Sequence, residues 1–385
     1  MTPTESKSKD RKVRVGFCLH AMQVAGAEVL VTQIIHRLKD KIEPTLFCLD
    51  SVGKLGEELI AQGIPLINFQ RKPGLDLSLA KRMADEFRTR QIELVHAHQY
   101  TPFFYTALAR LRGSRRTKIL MTEHGRHYPD LVSAKRRWIN RLFLSKFADH
   151  STACCAFSAK ALELNDGFRN VEVLYNGIDA SAHPARRSPA ERQELRSRLG
   201  LKQDVLYITS IARFHPVKDH ATLVHGFALL HKNLPNTKLI LVGAGPEEQA
   251  LRRLIDQLGI NQAVEFWGVR RDISDILQAC DIFSLTSLSE AASLTLLEAM
   301  ANGCPVAITD VGGNSEHITH EVHGLLSPRS DKIALAKNFE RIAKDYPASE
   351  SMANAARKRV TSEFRLDAAI ERYAELYRSL STRNP

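Results

Sequence analysis

Two carboxylates and two cations, each pair closely spaced, are the residues of this chain best suited to chemistry. Arg213 and Lys218 lie in ARFHPVKDH, and Glu290 and Glu298 lie in the stretch SLSEAASLTLLEAMANGCPVAITDVGG that begins at Ser287. An Arg and a Lys aimed at one point can neutralise a leaving diphosphate, at roughly 1.5 to 3 kcal/mol per charge-assisted hydrogen bond. Glu298 can accept hydrogen bonds from vicinal hydroxyls such as those of a ribose, and Glu290 from hydroxyls beyond the phosphates. Between the two carboxylates, Ser293 reads as a helix N-cap. The free amides near Leu294, Thr295 and Leu296, with roughly half a unit of positive dipole charge, then form an anion seat. Together these groups describe a site for a nucleotide-sugar. Each pair taken alone is also what a solvated loop and an ordinary helix would carry.

The elements that must position these groups follow from the pattern of the chain. Short apolar, β-branched runs alternate with amphipathic helical stretches, as in a doubly wound parallel sheet. Strands are expected at Val13 to Leu19, Pro44 to Leu49, Pro65 to Phe69, Leu94 to Ala97, Ile119 to Thr122, Val171 to Leu174 and Val205 to Ile211. Ligands bind beyond the carboxyl ends of such strands. That rule draws attention to Gly26, to His96 and His98 in VHAHQ, and to Glu123, His124, Gly125 and Arg126 in MTEHGRH. In the later helix Leu294, Leu297 and Ala301 share a face, and Gly303 stands where a left-handed residue ends it.

The chain has 385 residues, 44% of them hydrophobic, enough for two cores. The boundaries read as 1–183 for a first domain and 184–364 for a second. The remaining 365–385 reads as a helix. The start is polar without an apolar targeting core, and no run approaches the roughly 18 apolar residues of a membrane span. A cytoplasmic location is expected, with peripheral attachment at the inner face of a membrane. The six cysteines lack paired C-x-x-C spacing and read as buried reduced thiols. His96 and His98 have no third ligand at a useful spacing, so no metal site is expected. No Asp-x-Asp pair occurs either. Arg213, Lys218 and the helix N-terminus must therefore do the neutralising, and metal-independent chemistry without a cofactor is the expectation.

Net charge is +11, and residues 1–180 hold 28 Lys and Arg against 19 Asp and Glu. The first half therefore meets something anionic. Its most basic part contains SAKRRWINRLFLSKF, a helix with Trp138, Ile139, Leu142 and Phe143 on one side and Lys135, Arg136, Arg137 and Arg141 beside them. Three readings stand: a solvated helix with an ordinary core stripe, a helix lying on an anionic membrane surface, and a nucleic-acid patch. The last is weakest because no binding motif or aromatic platform accompanies it, and no nucleic-acid partner is expected.

Ser287, Glu290, Leu297, Glu298, Ala299, Met300, Ala301, Gly303, Pro305, Val306, Gly312 and Gly313 together resemble the signature of the retaining glycosyltransferases of family 4, the group 1 enzymes. Arg213 with Lys218, Gly243-x-Gly245-Pro246, Asn176-Gly177, Glu316, Gly324 and Leu325 continue the resemblance. It implies the GT-B fold, an α/β architecture of two Rossmann-like doubly wound domains facing a central cleft. The resemblance makes 1–183 a Rossmann-like acceptor-binding domain and 184–364 a Rossmann-like nucleotide-sugar-binding domain, and it implies that the helix of 365–385 returns to the first domain. It also implies retention, with nucleoside diphosphate leaving from the face on which an acceptor hydroxyl attacks. Arg213, Lys218, Glu290 and His124 are assigned to catalysis. Gly26, Arg213, Lys218, Gly243, Val269, Arg270, Glu290, Ser293, Leu294, Thr295 and Glu298 are assigned to a UDP- or GDP-linked donor. The acceptor is expected to be a saccharide or a lipid-linked glycan of the cell envelope or an exopolysaccharide. Ala25, Ala291 and Ala292 depart from the family's glycines at ligand-facing positions. They keep a catalytically silent nucleotide-sugar-binding scaffold open as a second reading, and a nucleotide-sugar epimerase as a third.

Overall fold

The computed structural model describes residues 11–125 and 134–381; Arg126 lies outside that range, as does the side chain of Arg136. Among the described residues thirteen strands form two sheets, and every pairing within them is parallel. The strands are β1 Val13–Leu19, β2 Ile42–Cys48, β3 Leu66–Asn68, β4 Leu94–His98, β5 Lys118–Glu123, β6 His150–Ala153, β7 Glu172–Val173, β8 Leu206–Ile211, β9 Thr237–Val242, β10 Val264–Gly268, β11 Ile282–Leu285, β12 Val306–Thr309 and β13 Leu325–Ser327. The first sheet runs β3-β2-β1-β4-β5-β6-β7 and the second β10-β9-β8-β11-β12-β13. Sequence expectation and structure agree on where each expected strand lies, within two residues at its ends. Runs such as GFCL, with Phe17 and Cys18 fully buried, are apolar on both faces. Only a sheet covered by helices on both sides accommodates that pattern.

The chain divides into two compact units, one of residues up to 176 together with those from 367 onward, the other of 177–366. The last helix, Leu366–Ser381, is tied into the first unit by Tyr373 and Tyr377, both 1% exposed, and by Arg372, which bonds Glu172 at 2.6 Å. In each unit the strand order reverses direction once, between β1 and β4 in the first and between β8 and β11 in the second. A crevice opens beyond the carboxyl ends of the strands at such a switch point.

The first helix, Gly26–Arg37, buries Ala27, Leu30, Val31, Ile34 and Ile35. Helix Leu294–Ala301 is nearly all apolar and buries Leu296, Leu297, Ala299, Met300 and Ala301 rather than a single stripe. Gly303 follows it at φ +64°, the left-handed conformation that glycine adopts without a Cβ penalty.

Candidate functional site

The second unit's switch point holds the charged residues. β8 ends at Ile211, and the loop beyond it carries Arg213 and a 3-10 turn, Pro216–Lys218. β11 ends at Leu285, and its loop carries Ser287 and Glu290. Lys218 Nζ donates to Glu290 Oε2 at 2.5 Å, and Ser287 Oγ donates to the same oxygen at 2.8 Å. The two loops are stitched by backbone as well: Leu288 N donates to Val217 O at 2.8 Å, and Thr286 Oγ1 to Asp219 O at 2.9 Å. Residues 72 positions apart in the chain thus form one fixed cation–anion pair. Arg213 is exposed, and among the described residues its guanidinium has no ion-pair partner.

Glu290 is also gripped through its carbonyl. Gly313 N donates to Glu290 O at 2.9 Å. Gly312 sits at φ +55°, and a Cβ there would run into that same carbonyl oxygen. This is the physical reason for the glycine pair 22 residues after Glu290. Ser293 caps the next helix by accepting from Leu296 N at 3.3 Å, and its hydroxyl lies 3.0 Å from Thr295 Oγ1. That is a correction: the Leu296 amide is already used, so the anion seat reduces to Leu294 and Thr295. Ala291, behind Glu290, is buried at 8% exposure. Glu298, in the helix, has no side-chain hydrogen bond among the described residues. Burial pushes its carboxyl up to about 7.

The outlying donor positions divide. A Cβ on Gly243, at φ +141°, would strike Ala212 O, and one on Gly245 would strike Phe214 O. Both glycines therefore let the β9 loop pack under the loop that carries Arg213. Val269 is 74% exposed beyond edge strand β10. Arg270 stacks over Trp267 and pairs with Asp272 at 2.8 Å rather than joining the Lys218 cluster.

Gly26 and His124 belong to the other unit. Gly26 opens the first helix beyond β1, after Ala25 in extended conformation. His124 follows β5 and meets His98 of β4, with Nε2 2.7 Å from His98 Nδ1. His96 is bonded on both nitrogens, to Tyr377 Oη at 2.8 Å and Thr122 Oγ1 at 2.6 Å. The His-x-His pattern is thereby drawn into a buried hydrogen-bond network with Thr122, Tyr377 and His124. Burial holds all three imidazoles well below their usual range, His124 at about 4, so they are neutral at physiological pH. Among the described residues His98 Nε2 and His124 Nδ1 remain without partners.

Helix Ala134–Leu142 reverses one sequence expectation. Trp138, Ile139 and Phe143 are exposed, at 65%, 44% and 61%. The side turned inward carries Asn140, 1% exposed, which donates to Asp166 at 2.7 Å and accepts from Tyr100 at 2.7 Å. Three of the four stripe residues therefore face outward, and Leu142 is half-buried. Lys135, Arg137 and Arg141 are exposed beside it.

Three contributors escaped sequence reasoning. Gly312 belongs to the family signature, but its contact with Glu290 depends on a long-range approach that no local spacing announces. His98 was weighed as a metal ligand, not as a support for His124. His220, 3% exposed with both ring nitrogens unpartnered and lowered to about 4 by burial, sits against Phe214 two residues after Lys218; no signal marked it.

Comparison with known proteins covers both units. A family model described as glycosyl transferases group 1 matches residues 191–359, and one described as glycosyltransferase family 4 matches residues 24–182. The N-acetyl-alpha-D-glucosaminyl L-malate synthase of Bacillus anthracis is 29% identical over 312 residues, 79% of each chain. An Escherichia coli UDP-Gal:alpha-D-GlcNAc-diphosphoundecaprenol alpha-1,3-galactosyltransferase is 24% identical over 342 residues, 85% of this chain and 84% of that one. Among solved structures, Anabaena Alr3699/HepE in complex with UDP and glucose superposes with a TM-score of 0.82 at 23% identity, over 95% of this chain and 100% of that one. The fold is GT-B.

Proposed function

Because the chain belongs to the group 1, family 4 glycosyltransferases, we propose that it moves a sugar from a nucleoside-diphosphate donor to a hydroxyl acceptor with retention and without a metal ion. The observation that carries this reading is the Lys218–Glu290 pair at the second switch point, with unpaired Arg213 on the same loop as Lys218. The second unit takes the donor and the first takes the acceptor. UDP is the first nucleotide to try, since a GT-B neighbour was solved with UDP and glucose.

Lys218 and Arg213 neutralise the leaving diphosphate, with the amides of Leu294 and Thr295 as further donors. Lys218 is already held by Glu290, so its charge is in place before donor arrives. Glu298 accepts from the ribose hydroxyls, and Val269 and Arg270 lie near the base. Glu290 holds hydroxyls of the transferred sugar; in the first unit His124, being neutral, offers a hydroxyl a single donor or acceptor and no charge. The sugar–phosphate bond breaks to an oxocarbenium-like state, and the acceptor oxygen attacks the same face. Its proton passes to a phosphate oxygen of the departing nucleotide. The acceptor is a saccharide or lipid-linked glycan, and the product feeds cell-envelope or exopolysaccharide synthesis.

A thermal-shift screen of UDP, GDP and ADP with their common sugars, with and without EDTA, tests the donor reading. A selective shift that survives EDTA is expected. A nucleotide that binds and is never released from its sugar would favour the silent scaffold, which rests on Ala25, Ala291 and Ala292.

A peripheral membrane position at the cytoplasmic face is the second part of the proposal. No helix among the described residues is long and apolar enough to cross a membrane. The exposed Trp138, Ile139 and Phe143 beside Lys135, Arg137 and Arg141 supply an apolar face and a cationic rim. Replacing Arg136, Arg137 and Arg141 with Gln should weaken binding to anionic vesicles by about 1 kcal/mol per cation and leave nucleotide binding intact. Equal vesicle binding would remove the helix from the argument.

A further inference from the structure

Beside the Trp138 helix the first unit contains a cavity of about 560 Å³ lined by Arg141, Lys146, Asp149, His150, Gly167 and Arg169, among others. We propose that it seats the phosphate of an anionic phospholipid headgroup. The proposal deepens the membrane reading above and rests on it.

The walls are set by packing. Helix Ala156–Asp166 ends at Gly167, φ +69°, where a Cβ would lie 2.7 Å from Arg141 Cα. Only glycine lets the two segments approach so closely, and that approach fixes Arg141 at the cavity. The bond from Asn140 to Asp166 ties the same two helices together, and buried Leu144 anchors the 3-10 turn that presents Lys146. The geometry does not depend on the mobile ends of long side chains alone.

Charge selects the ligand. The acid in the lining, Asp149, is already taken by Arg110 at 2.7 Å, Lys118 at 3.3 Å and the amide of Ile119 at 2.9 Å. His150 is bonded to Glu172, which Arg372 also holds. The side chains of Arg141, Lys146 and Arg169 have no partner among the described residues, so three cations face a space with no free acid. Phosphate is the anion whose several oxygens suit such a group. A soluble phosphate would need nothing more. Here, however, Trp138 stands one helical turn from Arg141, with Ile139 and Phe143 also exposed on or just beyond that helix. Cations at phosphate depth beside an outward Trp and Phe match a headgroup with its acyl chains attached.

The test is co-sedimentation of the full chain with vesicles of phosphatidylglycerol in phosphatidylcholine, compared with phosphatidylcholine alone. The variant Lys146→Gln/Arg169→Gln leaves the Trp138 helix untouched. It should lose about fivefold in partitioning per cation, roughly 25-fold in all, on phosphatidylglycerol vesicles only. Arg115→Gln/Arg116→Gln, which removes two exposed cations outside the cavity, should change binding little, and Lys146→Arg/Arg169→Lys should retain it. Full binding by the Gln variant, or an equal loss in the Arg115/Arg116 control, overturns the cavity while leaving the membrane reading in place. Failure of the wild-type chain to bind phosphatidylglycerol vesicles overturns both. If inorganic phosphate raises the wild-type Tm but not that of the Gln variant, while vesicle binding is equal, the cavity holds a soluble phosphate and the lipid assignment falls.

Discussion

The two switch points occupy the same place in the same kind of sheet and are furnished with opposite chemistry. Beyond β8 and β11 stand a Lys–Glu pair, an unpaired Arg and a helix N-terminus. In the first unit β4, which flanks the switch point, carries His96 and His98, and His124 follows β5; burial keeps these imidazoles neutral, His96 bonded to Thr122 and Tyr377 hydroxyls and His98 to His124. Parallel topology supplies a crevice at each; the side chains decide whether it takes an anion or a neutral polyol. On the proposed function, a charged donor and a hydroxyl-bearing sugar or acceptor are what such a division of labour serves.

The comparison breaks first at Lys218. On the proposed donor reading Lys218→Ala removes a diphosphate contact, and it leaves Glu290 half-buried without its cation, so kcat/KM should fall about 100- to 1,000-fold. Steady-state kinetics within threefold of wild type would show that the second switch point does not handle the phosphates.

Glu298 gives the next largest effect. Glu298→Ala should lower nucleotide-sugar use roughly 10- to 100-fold, from loss of a charged hydrogen bond worth about 1.5 to 3 kcal/mol. Its pH signature is distinctive. With the folded carboxyl raised to about 7 from 4.5, the folded state holds the proton longer than the unfolded state does. The stability this contributes is full below 4.5 and is lost as pH rises through about 7. Nucleotide affinity should move the other way, strengthening as the carboxylate ionises across the same interval. Calorimetric titrations of Glu298→Gln should lack that strengthening; an unaltered pH profile would remove the ribose assignment.

The smallest effect sharpens the neutral side. His98→Leu leaves His124 Nε2 buried without its partner and should reduce kcat about tenfold, with nucleotide affinity unchanged. His98→Asn, which can reach His124 from the position of Nδ1, should restore part of the loss. A change in nucleotide affinity instead would show that the histidines serve folding or the donor rather than the sugar.

Much of this protein was legible without coordinates because it is written locally. Apolar β-branched runs between turn signals determine strands at β1, β4, β5 and β8, and the ends of β8 and β5 already mark Lys218 and His124 as candidates, while Glu290 is marked by its motif. The capping geometry of Ser293 and Gly303 is equally local, since each depends on its own backbone and its nearest neighbours.

What needed tertiary structure is whatever depends on partners far along the chain. Lys218 meets Glu290 across 72 residues, and His96 meets Tyr377 across 281. No spacing rule links them, because strand order rather than sequence distance brings them together. Gly312 is required by a carbonyl it touches only after β11 and β12 have paired. The Trp138 helix is the clearest case. Its sequence determined that apolar and basic residues would segregate around the helix axis, because 3.6 residues per turn is a property of the helix alone. Which side turns inward was decided by Asp166 and Tyr100, whose side chains hold Asn140 and leave the tryptophan facing outward.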